Sequence, residues 1–550
     1  MAKTVTTYRV DDLLVLYTLI QTVGIGKAVN KYIQVHGNWE GALPGDILEL
    51  WLCYILSACD HRLSGAEEWA TDNLDLLRFL SGNIKLSSQD FSDDKLGRLL
   101  DYFSRSSSWS QIERDVNSKV LGVYRLDHPQ EFATFRLDAA PMQGYGKVVP
   151  AGLLQYGYHK HHANLPQFKL KLCTLDNEVN NFAYPICHLT VSGNTSDDEL
   201  YIPIIKQSKQ VLSSVSELQM GNLYVGDKKF SSLKNRLFVH KQLDYYLMPL
   251  SHVQLTVDQR KAFIDEATMT EQVIKKTKDK EVVIAKGFEV EKTISIDKEE
   301  AIYEWGERRL FVCSASYANA QQAALERRLR QADSSIAQLT KRSQGKKVLQ
   351  TKEEYQLAID AIKQEQQVEE LLKVQIIEHQ TPINKRAYGK YPKRVEIQSH
   401  FELVITRQEE GIAERKKYMG WQVYATNAPK SLLPFEKCVW KYRYQSNIES
   451  RFDDLRNKMA ALLPVYLQKE NRIEGLVNVL LLALKICSMM EYKVAQQLQQ
   501  NKELLYGLFE GNPKRGTDRP SAKRILRLLI RFLSLLCFVM VILTSLILVL

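Results

Sequence analysis

Three acidic residues stand where a carboxylate could do chemistry. Asp138 ends the apolar run FATFRLD, Asp227 ends the apolar run NLYVGD, and Glu449 lies inside CVWKYRYQSNIESRFDDLRNK, residues 438–458. An aspartate at the point where a buried strand gives out projects from a rigid sheet toward a shared edge or crevice. Taken singly, such a residue is more often a turn former or a helix cap. Two of them with a glutamate make an oxygen-only donor set, which suits Mg2+ or Mn2+. Two such ions a few ångströms apart activate an attacking oxygen and steady the leaving one at phosphorus, which is phosphodiester chemistry.

That chemistry requires two strands and one helix to converge. Residues 438–458 read as a single helix, with Ile448, Phe452, Leu455, Met459 and Leu462 recurring every three or four positions along one apolar stripe. Tyr442, Gln445, Glu449 and Arg456 fall on a second stripe roughly a quarter-turn away, which sets Glu449 among polar groups beside the core.

Around these elements the chain divides by its patterning. Residues 1–125 read as a helical N-terminal domain, with Asp46/Glu49 and Ser64/Glu67 spaced as capping boxes; such a bundle could carry a helix-turn-helix that contacts DNA. From 130 to 250 the period shifts to two: strands at 132–141, 153–159 and 170–176, then PICHLTVSG, a helix, the strand 222–230, a helix at 233–239 and the strand DYYLMPL give a mixed α/β core. Residues 251–415 interrupt it with a β-rich and helical insertion, whose helices fall near Leu325–Leu339 and Lys352–Val374. The core resumes over 416–465 with GWQVYATNA and the Glu449 helix, and 466–531 form a helical C-terminal region. The last nineteen residues, 532–550, are uncharged and just long enough to span a bilayer behind a basic flank, so membrane tethering is one outlet for them. Residues beyond Lys523 are expected to contribute nothing to the chemistry.

Composition narrows the function classes. Lys and Arg number 74 against 64 acids, a net charge of +10, which favours a polyanionic partner without identifying one. Eight scattered cysteines without a CxxC or a zinc-type spacing suit a reducing cytoplasm, and two acids near the N-terminus stand where a signal peptide needs its apolar core. No HExxH and no Walker loop is present, so zinc peptidase and nucleotide-triphosphatase readings find no support. His159, His161 and His162 lack further ligand-type neighbours and read better as a solvated turn facing phosphate than as a metal site.

The segments FRLDAAP, GYHKHHANLPQFKLKL, VSGNTSDDELYIP, NLYVGDKKF, MGWQVYATNAP and YRYQSNIESRFDDLRN resemble the bacterial insertion-sequence transposases of the DDE type. The resemblance covers most of the chain up to about Leu526. It implies a ribonuclease H-like catalytic core in which Asp138, Asp227 and Glu449 hold two divalent ions, Mg2+ or Mn2+. The acids are separated by 89 (227 − 138) and 222 (449 − 227) residues, and the long second interval fits the subgroup with a β-rich insertion. That subgroup's pattern of Tyr, Arg, Glu and Lys around the glutamate falls here on Tyr442, Gln445, Glu449 and Arg456. Gln445 removes a charge that neighbouring Arg443 could restore, and Arg456 keeps a cation for phosphate. Tyr442, Arg443, Gln445, Arg456 and Lys458 are thus the expected DNA-contacting residues. Ala139 and Ala140 replace the hydroxyl residues usual after the first aspartate. The implied partners are double-stranded DNA, as element ends and target, and a second copy of the chain as a DNA-bound dimer, in the cytoplasm at the nucleoid. Other readings are a related nuclease that cuts without joining, and a decayed copy that only binds DNA.

Overall fold

A computed structural model describes residues 11–125, 132–157, 165–177, 182–215, 218–268, 271–276, 281–298, 301–341, 349–386, 389, 392–458, 462–463 and 465–529. The apolar tail at 532–550 and the histidines at 159, 161 and 162 lie outside the described residues.

The protein is a mixed α/β structure built on a nine-stranded sheet. In chain order the strands are β1 (Thr134–Gln143), β2 (Gln167–Asn177), β3 (Phe182–Ser192), β4 (Leu223–Gly226), β5 (Tyr245–Pro249), β6 (Glu271–Lys276), β7 (Glu281–Lys298), β8 (Ala301–Ser314), β9 (Leu372–Lys385), β10 (Arg394–Arg407) and β11 (Trp421–Thr426). The large sheet runs β3-β2-β1-β4-β5-β11-β8-β7-β6, while β9 and β10 pair only with each other. β1, β2 and β3 are antiparallel neighbours, whereas β4 lies parallel to both β1 and β5. Every residue of β4, LYVG, is buried, as a central strand covered on both faces requires.

Among the described residues seven α-helices precede the sheet: α1 (Asp11–Val23), α2 (Ile25–Tyr32), α3 (Pro44–Ala58), α4 (Leu63–Asp72), α5 (Leu74–Ser81), α6 (Asp93–Phe103) and α7 (Ser106–Arg125). The pairs expected as capping boxes fall inside α3 and α4, whose caps are Leu43 and Arg62. Glu49 is instead buried, where it accepts a hydrogen bond from the Gly26 amide at 2.8 Å. Helices α8 (Tyr201–Val211) and α9 (Leu233–Lys241) alternate with strands of the sheet, and α10 (Val257–Glu266) follows β5.

The segment expected at 251–415 as one inserted subdomain divides in two. Strands β6, β7 and β8 extend the main sheet through β11. Helices α11 (Ala315–Ala337), α12 (Lys352–Glu365) and α13 (Glu409–Lys417) close a separate core around Leu325, Leu329, Ile359, Leu372 and Ile412 with the base of the β9–β10 ribbon. Arg407 of β10 ties this unit together through ion pairs to Glu326 at 2.7 Å and Asp333 at 2.8 Å.

The helix expected over 438–458 is also divided. Helix α14 (Phe435–Arg443) ends at a turn, α15 (Ser446–Asp453) restarts, and Asp454–Lys458 form a π-helical turn. Ile448, Phe452, Leu455 and Leu462 are buried as their spacing demands, and Met459 lies outside the described residues.

Helix α16 (Glu470–Asn501) follows, apolar enough by composition to cross a membrane, yet almost wholly buried inside the protein. It packs against α3, α6 and β3, so the N-terminal helices share one apolar core with the sheet rather than forming an independent domain. Gly475 meets the backbone of Leu100, an approach that a β-carbon would block. Lys485, fully buried in α16, donates to the Asn117 side chain and to the Ile186 carbonyl, both at 2.7 Å. Residues 522–529 form a further helical stretch, with Ile525 and Leu526 set into the same core.

Candidate active site

The sheet brings the two aspartates together by register. Leu137 of β1 lies opposite Gly226 of the parallel β4, so the next residue on each path is an aspartate, Asp138 and Asp227. Asp227 caps the 3-10 turn Lys228–Ser231: its Oδ1 accepts from the Lys229 amide at 2.9 Å and from the Tyr201 hydroxyl at 2.5 Å. Asp138 accepts from the Ala139 amide at 2.8 Å. Glu449 stands exposed in the first turn of α15, which packs over β1 and β3 by burying Ile448 and Phe452.

The three acids share one electrostatic locale. Burial pushes the Asp138 carboxyl up to about 6, Lys171 and the Ala139 amide pull against that, and the charges of Asp227 and Glu449 push it further. The Tyr442 phenol, half-buried beside Tyr424 with ring centroids 4.5 Å apart, is raised first by burial and then by Tyr424 and the same three carboxylates. Tyr442 therefore lines the crevice that the acids form.

Two residues of this locale were not singled out from the sequence. Lys171, on β2 opposite Ala139, is fully buried, and its Nζ has no hydrogen-bond partner among the described residues. It sits over the Tyr201 ring, 3.4 Å from the centroid. Burial drives its amine down to about 8, against the attraction of Asp138, Asp227 and Asp197. Tyr201, the first residue of α8, carries that ammonium on its ring, stacks on Phe230 at 4.5 Å and holds Asp227 by its hydroxyl. Gly226 makes room for the arrangement, because a β-carbon there would come within 2.9 Å of Phe230 and 3.0 Å of Tyr201. The sequence signal for Lys171 was available: a lysine inside the largely apolar strand FKLKLCTL is costly unless acids lie nearby.

The expected DNA-contacting residues take different positions. Arg456 is half-buried near Asp138 and donates to the Pro141 carbonyl at 3.2 Å; burial lowers its guanidinium while Asp138 and Asp453 support the charge. Arg443 turns away to the β-rich segment, donating to the Ile284 carbonyl at 3.0 Å and to Ser314 at 2.9 Å. It therefore does not stand in for the charge missing at Gln445. Gln445 caps α15, and both polar atoms of its amide are buried without a hydrogen-bond partner among the described residues. The Lys458 side chain lies outside the described residues.

Among the described residues, no three His, Cys, Asp or Glu side chains already close on a single point. The donor chemistry nevertheless suits a hard cation: two carboxylates on neighbouring strands push against each other's charge, and a third faces the same crevice. An incoming divalent ion would relieve that repulsion as it drew the three acids together. No protein-family model matches the chain, and no curated protein matches it.

Proposed function

We propose that the chain is a DNA transposase of the DDE type with a ribonuclease H-like core. It binds the terminal inverted repeats of an insertion sequence as a dimer, cuts at the element ends and joins them to target DNA. The observation that carries this reading is that Asp138 and Asp227, set side by side by the register of parallel β1 and β4 in a mixed sheet, share one electrostatic locale with Glu449 from a helix that returns after a long interruption. Two Mg2+ or Mn2+ ions, when bound, would supply Lewis-acid stabilisation at phosphorus and an activated oxygen.

The chain's own residues do the rest. The sheet fixes Asp138 and Asp227, and the Tyr201 hydroxyl restrains the Asp227 carboxylate in one orientation. Arg456 places a cation beside Asp138 where a scissile phosphate would lie, and Tyr442 walls the crevice. None of the acids acts as a covalent nucleophile. Water attacks phosphorus and the 3′-oxygen leaves; the freed 3′-hydroxyl then attacks a target phosphodiester, displacing another 3′-oxygen.

The test uses the purified full chain, Mg2+ and DNA carrying the inverted repeats that flank its gene. Nicking at the ends followed by strand transfer supports the reading; cutting without joining makes the protein a nuclease, and binding without nicking makes it a decayed copy. Asp138→Asn, Asp227→Asn and Glu449→Gln should each lower nicking by at least about a thousandfold while end binding changes little, since a lost ligand removes several kcal/mol of transition-state stabilisation but few phosphate contacts.

A further inference from the structure

The β9–β10 ribbon has no role in the site described above. Its base is anchored in the α11–α12 core, where Leu372 and Ile376 are buried. Beyond that base, all eight residues from Glu378 to Lys385 are exposed, although alternate residues of a strand point to opposite faces. Both faces of the outer ribbon are therefore bare, over a reach of about 25 Å at roughly 3.3 Å per residue. On the returning strand Val395 and Ile397 are 63% and 65% exposed. A two-stranded ribbon that covers neither face is marginal by itself and gains by lying against something.

Charge identifies what that is. The segment from Asn384 to Val395, NKRAYGKYPKRV, contains no acid. Lys385, Arg386, Lys393 and Arg394 are all exposed at the outer end, where Lys385 and Arg394 sit opposite each other in the ladder. Acids reappear only further down the ribbon, at Glu378, Glu396 and Glu402. A two-stranded ribbon has the width that a DNA major groove admits, and four cations at its end match a row of phosphates.

We propose that the β9–β10 ribbon is a DNA-holding arm: it lies along a groove of a duplex, and Lys385, Arg386, Lys393 and Arg394 hold the backbone phosphates. The proposal rests on the DNA reading of the preceding section and adds a second contact surface, separate from the catalytic crevice. It requires no base-specific contact, so the arm should hold unrelated sequences equally well.

The test compares the full chain with a variant in which the four cations are changed together (Lys385→Ala, Arg386→Ala, Lys393→Ala and Arg394→Ala). Binding to a fluorescent 40-base-pair duplex is measured from 50 to 250 mM salt. A melting curve recorded beside the binding series reads the fold of the variant separately from its affinity. Its slope of log Kobs against log salt should be shallower by about 3 to 4, since each phosphate contact contributes about 0.9. If wild type binds the duplex and the variant's slope is unchanged, the arm does not hold DNA while the DNA reading stands. If wild type shows no duplex binding at all, both fall. If the duplex slope is unchanged but the variant loses binding to phosphatidylserine vesicles, the arm faces a lipid surface and the proposal is overturned.

Discussion

Replacing Lys171 by methionine keeps the length of the side chain and removes its charge. In the folded protein, burial lowers this amine from 10.5 to about 8 despite three neighbouring carboxylates, so the charged form carries a net penalty of about 3 kcal/mol. Between pH 8 and pH 10.5 the unfolded chain holds a proton at this position that the folded chain has begun to release. Stability contributed by this group therefore rises with pH across that window, and the penalty is complete below about pH 8. At pH 7 the Lys171→Met variant should be more stable than wild type by up to about 3 kcal/mol, with the gap narrowing at pH 9 and closing above pH 10. Urea unfolding at those pH values measures it. The same substitution removes a fixed positive charge from behind Asp138 and Asp227, so Mn2+, followed by its electron paramagnetic resonance signal, should bind on the order of tenfold more tightly, about 1.4 kcal/mol of like-charge repulsion having gone. A variant less stable than wild type at pH 7, or one that binds Mn2+ more weakly, would refute this reasoning. It would mean that the ammonium holds the acids together by more than its burial costs.

Three further outcomes follow from the same geometry. Tyr201→Phe keeps the stack on Phe230 and the seat for Lys171 but loses the hydrogen bond to Asp227; Mn2+ affinity should fall about 10- to 100-fold, as for other partners that orient a ligand, and calorimetric titration giving wild-type affinity would count against a positioning role. Because Asp138 is pushed up to about 6, nicking at subsaturating Mg2+ should fall about tenfold per pH unit below that value and level off above it, and a profile flat down to pH 5 would remove Asp138 from the ion site. Relative to a chain ending after Leu529, one ending at Lys523 loses Ile525 and Leu526 from the core and should be less stable by several kcal/mol at about 1.5–3 kcal/mol per buried side chain, read as the urea midpoint.

The seats of Ile525 and Leu526 add a stability role beyond Lys523 that the expectation about chemistry did not cover, and the individual elements show where sequence pattern was a sufficient guide. Strands whose apolar character is continuous, such as LKLCTLD and NLYVG, form β2 and β4, because full burial leaves them little alternative. Alternating or mixed segments were decided by tertiary contact. The run LLQYGYH does not form a strand in its described part, where Gly157 is pressed against the Gly193 backbone and only Gln155 makes a bridge, to Gln167. The break between α14 and α15 contains neither Gly nor Pro. It sits where Lys441 is drawn to Thr134 and Arg443 to the β-rich segment, contacts that no helical periodicity encodes. The two aspartates were legible because each ended an apolar run, although β1 continues to Gln143 and leaves Asp138 in mid-strand, so only Asp227 follows the end of its strand. Their buried counter-charge was signalled only as a lysine inside an apolar strand, and its place beside the two aspartates follows only once β2 is known to lie beside β1.

The position of α16 also bears on how the chain comes to be folded. Helices α1–α7 leave the ribosome first, yet the partner that completes their core ends about 380 residues later, which at 5–20 residues per second is roughly 20 to 80 s of synthesis. Through that interval the seats for Ile473, Leu476, Val477 and Leu480 stay open, and the nascent chain presents apolar surface where a finished molecule would present none. A prematurely terminated product would keep that surface indefinitely and would be a substrate for chaperones and proteases. Only a chain translated through α16 would persist, so the helix makes full-length synthesis a condition for a lasting molecule.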